Sequence, residues 1–207
     1  MIGILTACMI FIGISYFSLG QPRVEYYPSG EKKASGEMIN GVKEGKWEYF
    51  YLNGKPNSVE FYKAGILHGD VMYFYPSGIL QGREHWESGS LTDSAYYFHE
   101  NGALDKEGVY VNSSYNGMWI HYYDNGSIER VVNYTDGLPE GETKVFDKEG
   151  KLLQKGFYNK GKEDGYWEFY DQDEKLSYAG QYHQGEPVGI WYSYIKGKKK
   201  IYKKYKD

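Results

Sequence analysis

The chain repeats itself at a fixed interval of 24, the step from Gly30 to Gly54 and from Gly54 to Gly78. A period of that length limits the fold to a row of stacked supersecondary units. Three glycine series carry it. Turn glycines fall at Gly30, Gly54, Gly78, Gly102, Gly126 and Gly150, after which Glu174 breaks the series and Gly197 resumes it one residue early. A second series runs Gly41, Gly65, Gly89, Gly137, Gly161 and Gly185, with Ser113 as the exception. The third runs Gly45, Gly69, Gly117, Gly141, Gly165 and Gly189, with Asp93 as the exception. Between the glycines an aromatic occupies every member of the series Tyr26, Phe50, Phe74, Phe98, Tyr122, Phe146, Tyr170 and Tyr194. A further ladder, headed by Met38, runs Tyr62, Trp86, Tyr110, Tyr134, Tyr158 and Tyr182. Seven units and a partial eighth result.

Two aromatic runs and two glycine turns per unit describe a β-hairpin joined to the next hairpin. The expected fold is all-β: an elongated single-layer antiparallel sheet of tandem β-hairpins, about fourteen strands at roughly 4.8 Å spacing. Composition agrees, since Tyr numbers 24, Trp 5, Phe 9 and Gly 27 while mean hydropathy is only -0.68. With no sealed interior, cross-strand ring contacts must supply the packing, at roughly 0.2–1 kcal/mol per pair. Tyrosine suits this because its ring packs while its hydroxyl meets water.

The stretches "YPSG", "YPSG" and "YDNG" place Pro28, Pro76 and Asp124 before a polar residue and a glycine. That pattern predicts three-residue hairpin loops, a type I turn closed by an αL glycine. Such loops pair position 26 with 32 and 50 with 56, so even positions are expected to share one packed face throughout. Gly36, Gly108, Gly156 and Gly180 fall on it, leaving room beside large rings. The odd face is expected to hold Trp47, Trp119, Trp167 and Trp191, an interrupted ladder with Val71, Ala95 and Thr143 between its members.

The segments "NGVKEGKWEYFYLNGK" (40–55) and "NKGKEDGYWEFYDQDEKL" (159–176) resemble the bacterial MORN repeat variant family, whose members are often labelled YwqK-type antitoxins. The resemblance covers about residues 23–195. It implies a non-enzymatic binding module, and departures at Asp93, Ala95, Ser113 and Glu174 put local regularity in question.

Residues 1–20 carry no charge, an apolar length that suits a signal peptide or a membrane anchor. Ser18-Leu19-Gly20 fits a cleavage site before Gln21, and "LTAC" resembles a lipobox that would make Cys8 a lipidation site. The protein is therefore expected to be extracytoplasmic, membrane-anchored or exported, with the repeats over 21–195. Residues 196–207 form a lysine-rich capping strand or tail with seven Lys and one Asp. It reads as an edge guard or as a contact for anionic lipid. Residues 1–195 hold 17 basic against 27 acidic side chains, so nucleic acid is not expected as a partner.

No nucleophile elbow, phosphate loop, dinucleotide fingerprint or zinc motif occurs, the five His share no ligand spacing, and "DQDE" (171–174) lacks the rest of a calcium loop. No catalytic residue, metal or cofactor is expected. The candidate site is a protein-binding patch of Trp47, Trp119, Trp167, Trp191, Phe169 and Tyr192, the alternative being that the indoles merely cover glycine-thinned sheet. Two roles compete: a scaffolding protein of the bacterial cell envelope with an unidentified protein partner, or an antitoxin-like protein that neutralises a toxin by direct binding.

Overall fold

The computed structural model describes residues 20–206; the apolar segment that includes Cys8 lies outside them. Seventeen strands run in chain order: β1 Gln21–Tyr26, β2 Lys32–Ile39, β3 Val42–Phe50, β4 Pro56–Lys63, β5 Ile66–Leu67, β6 Gly69–Phe74, β7 Leu80–Glu87, β8 Ser90–Phe98, β9 Leu104–Val111, β10 Ser114–Tyr122, β11 Ile128–Thr135, β12 Leu138–Phe146, β13 Leu152–Asn159, β14 Lys162–Tyr170, β15 Leu176–His183, β16 Glu186–Ile195 and β17 Lys198–Lys204. Successive strands pair antiparallel from β1–β2 to β16–β17, with β5 and β6 both on β4. The strand count exceeds fourteen because β1 and β17 add an edge strand at each end and β5–β6 is one strand interrupted at His68. No helix long and apolar enough to cross a membrane occurs among the described residues.

The hairpins close as the positions of Pro28, Pro76 and Asp124 predict. In the first, the Gly30 amide donates to the Tyr27 carbonyl at 2.9 Å and the Tyr27 amide to the Glu31 carbonyl at 2.8 Å. This is the type I turn with an αL glycine at Gly30, φ 103°. The links between hairpins are two-residue type I′ turns, such as Asn40-Gly41 at φ 52° and 81°. Where glycine is missing the backbone still adopts positive φ: 60° at Asp93, 64° at Ser113 and 57° at Glu174. The repeat thus passes through the three departures at glycine positions intact, with the Asp93 carboxylate accepting the Ser94 amide at 2.7 Å.

The expected assignment of faces is overturned. In every unit the register shifts one pair beyond the three-residue turn, for example between Tyr49↔Ser58 and Phe50↔Pro56. That bulge adds one residue and flips parity, because side chains alternate with period two. Odd positions of β3 therefore share a face with even positions of β2 and β4, as in Ala34↔Tyr49 and Trp47↔Glu60. The packed face contains the tryptophans, the four thin-strand glycines and the Tyr62 to Tyr182 ladder together. The Phe50, Phe74 and Phe98 series lies on the opposite face, only half-buried.

Both long sides of the ribbon are stitched from unit to unit. Along one, the hydroxyls of Tyr27, Tyr51, Tyr75 and Tyr123 donate to the carbonyls of Phe50, Phe74, Phe98 and Phe146 at 2.7–2.9 Å. His99 occupies the same phase and meets the Tyr122 carbonyl at 2.9 Å. These hydroxyls are therefore engaged rather than left to water. At Asp147 and Asp171 the staple gives way to a carboxylate that accepts amides of its own turn. Along the other side, type I′ glycines donate back one unit, as Gly65 does to the Lys43 carbonyl at 2.9 Å.

Candidate functional site

The packed face is built on a pairing between strands. A tryptophan stands in β3, β10, β14 and β16 wherever the preceding strand has glycine at the position its ring covers: Gly36 with Trp47, Gly108 with Trp119, Gly156 with Trp167, Gly180 with Trp191. Where that position is Glu60, Glu84 or Val132, the later one is Val71, Ala95 or Thr143. The reason is contact: a Cβ at Gly36, Gly108, Gly156 or Gly180 would stand 2.1–2.4 Å from the indole. Each indole lies across the bare glycine, and its Nε1 donates to the carbonyl beside it, Trp47 to Glu37 at 3.0 Å and Trp119 to Val109 at 3.1 Å. Trp167 and Trp191 bond Phe157 and Gln181 in the same way.

The tryptophans of the candidate patch are thereby placed in the core of the sheet. Trp47, Trp119, Trp167 and Trp191 are 1%, 0%, 3% and 6% exposed. Trp167, Trp191 and Phe169 do come together: Phe169 lies 6.2 Å and 6.1 Å from the two indoles, and Tyr182 meets both edge-on. Tyr192 does not join them. It lies on the opposite face, its ring under the Lys199 ammonium at 3.7 Å, because it is adjacent in sequence to Trp191 and side chains alternate along a strand.

What this cluster offers to solvent is a groove of about 310 Å³ lined by Phe169, Tyr178, Tyr182, Trp191, Tyr202 and Tyr205. The accessible rings are tyrosines that the candidate patch omitted: Tyr178 is 41% and Tyr202 58% exposed, and they meet edge to face at 5.1 Å. Tyr202 and Tyr205 come from β17 and the residue after it, so the lysine-rich end is part of this wall. The recurrence of tyrosine among its lysines, at Tyr202 and again at Tyr205, was the available signal. Burial raises Tyr182 above the usual tyrosine range, so at neutral pH it is an uncharged hydroxyl.

Where Val71 and Ala95 replace tryptophan, the carboxylates of Glu60 and Glu84 fill the face. Glu84 is buried and accepts from the hydroxyls of Tyr73 and Tyr97 at 3.1 Å and 2.6 Å and from the Trp86 indole at 3.0 Å. Burial and this carboxylate push Tyr73 and Tyr97 well above the ordinary tyrosine value. Three rings, Trp47, Tyr49 and Tyr62, surround the Lys43 ammonium at 4.8–4.9 Å. Among the described residues no group of His, Cys, Asp and Glu is arranged to hold a metal ion.

Fold and face together define a class, the single-layer sheet of tandem hairpins packed through rings on one face. Four segments, residues 43–64, 67–88, 115–136 and 139–160, match the MORN repeat variant. Their starts keep the period of the glycine series, from 43 to 67 and from 115 to 139. These four hairpin units are thus similar to MORN repeats, and the hairpins between and beyond the matched segments share their geometry. No curated protein matches the chain.

Proposed function

We propose that the protein is a non-enzymatic scaffold of the bacterial cell envelope, and that it takes a protein partner in the groove around Tyr178 and Tyr202. The exposure of those two rings beside buried Trp191 carries the reading: a rigid aromatic floor with accessible tyrosine edges is the composition of an interaction hot spot. Apolar residues 1–20 support an extracytoplasmic, membrane-held location. The exposed lysines of β17 add attraction to anionic lipid, about 1 kcal/mol per Lys close to the surface.

A photo-reactive residue in place of Tyr202 in the full-length protein, expressed in its native host, tests both parts. One discrete adduct, lost in Tyr178→Ala with an unchanged melting curve, is the expected result, together with recovery in the membrane fraction or outside the cell. Absence of any adduct, or an adduct indifferent to Tyr178→Ala, would overturn the binding face. Soluble, uncleaved protein inside the cell would overturn the location.

A further inference from the structure

The fifth unit is the one place on the packed face, among the described residues, where neither an indole nor a carboxylate network covers the strands. Thr143 takes the tryptophan position, buried, with its hydroxyl donating to the Val131 carbonyl at 3.0 Å. It faces Val132 on one side and Gly156 on the other. Above it lies a slot of about 120 Å³ whose walls include Arg130, Tyr134, Val145, Gln154 and Tyr158. Pockets that enclose whole small molecules run to about 300–1,000 Å³, so this one has room for a single side chain of something larger.

Arg130, in its wall, belongs to a charge pattern unusual for a sheet. His121 pairs directly with Lys106 on one side and Arg130 on the other, a row of three basic residue types where like charges opposite one another cost stability. Burial, with Arg130 and Lys106 beside it, lowers His121 to about 4, so it is neutral at physiological pH. Lys106 donates to the Tyr115 hydroxyl at 3.1 Å and lies 4.6 Å from the Tyr97 ring. Arg130 is exposed. Among the described residues neither it nor Lys106 makes an ion pair.

We propose that this slot is a second binding site, which takes an aromatic side chain flanked by carboxylates, an acidic-aromatic peptide segment of a partner protein. The ring enters between Tyr134 and Tyr158 above Thr143, the place an indole of the protein's own occupies in four other units. A neighbouring carboxylate meets the Arg130 guanidinium, whose planar fork suits bidentate pairing, and Lys106 adds a second positive charge. A nucleic-acid strand fits less well, because so short a basic row cannot track a phosphate backbone. The slot lies on β11–β13, with Lys106 on β9 beside it, away from the groove at Tyr202, and stands or falls independently of it.

The test is fluorescence polarisation of a labelled acetyl-Glu-Trp-Asp-amide with the full-length protein, against Lys-Trp-Lys and Glu-Ala-Asp peptides of the same form. Binding of the first peptide alone is expected, weakened about tenfold by Arg130→Gln. The paired change Val132→Gly with Thr143→Trp rebuilds the glycine–tryptophan contact of the other units, so it folds while filling the slot, and it should abolish binding. Equal binding of Glu-Ala-Asp, retained binding in the paired variant at an unchanged melting curve, displacement by a dT oligonucleotide at equal concentration, or no binding of Glu-Trp-Asp at millimolar concentration would each overturn the proposal.

Discussion

The indole of Trp119 rests on the backbone of Gly108 so closely that a Cβ there would stand 2.2 Å from its Cδ2. Gly108→Ala should therefore cost about 1–3 kcal/mol as an overpacked site. Urea melts of Gly108→Ala, Trp119→Ala and the double variant check this. The double should be less destabilised than the two singles added together, by at least about 1 kcal/mol, since removing the ring removes the clash. Simple additivity would show that glycine serves the backbone and not the indole.

Glu84 accepts from Tyr73, Tyr97 and Trp86 at once. Glu84→Ala strands three donors in a poorly hydrated place and should lose about 1–3 kcal/mol, whereas Glu84→Gln keeps an acceptor and should lose less. Thermal melts that rank the two equally would show that the donors find water.

Burial, the first cause in each case, raises Tyr62, Tyr73, Tyr97 and Tyr110, and brings Tyr122 up to about 12. A hydroxyl raised in the folded state contributes stability that is fully present below the unfolded value near 10 and is lost as pH climbs through the folded one. Stability should hold level from pH 8 to about 9.5 and then fall steadily. Spectrophotometric titration at fixed temperature should show a set of phenols that ionise only with unfolding; a single titration near pH 10 with the sheet intact contradicts this.

Ala64 holds φ 50° at the first position of a type I′ turn, a conformation that Asn tolerates and Ala resists. Ala64→Asn should raise stability by about 0.5–1 kcal/mol, read as a higher denaturation midpoint at unchanged slope. A lower midpoint would mean that the turn conformation is not the limiting strain.

Tyr75 donates to the Phe98 carbonyl across the unit boundary at 2.8 Å. Tyr75→Phe keeps the ring and removes one staple, with an expected loss of about 0.5–1.5 kcal/mol. Because units contact mainly their neighbours, hydrogen exchange should speed up around residues 75–104 and leave the last two units unchanged. Uniform acceleration along the chain would indicate one cooperative sheet.

The amino-acid sequence determined the period, the hairpins, the three-residue loops and the single-layer sheet, because each rests on local backbone preference: Pro28 and Gly30 close a turn whatever lies across from them. The contact between Gly108 and Trp119 was also written there, as a glycine at one constant interval before each tryptophan of the interrupted ladder. Parity counting from the turns hides it, because it puts the two residues on opposite faces. Which side chains share a face was decided only in the tertiary structure. One bulged residue per hairpin inverts the alternation, and no composition or spacing marks the residue that bulges. A further irregularity, opposite Trp191 and Tyr192 on β17, falls at Tyr202, whose ring joins the groove. The row of Lys106, His121 and Arg130 is likewise a product of register: three residues well separated in the chain become neighbours because β9, β10 and β11 pair where their turns and bulges place them.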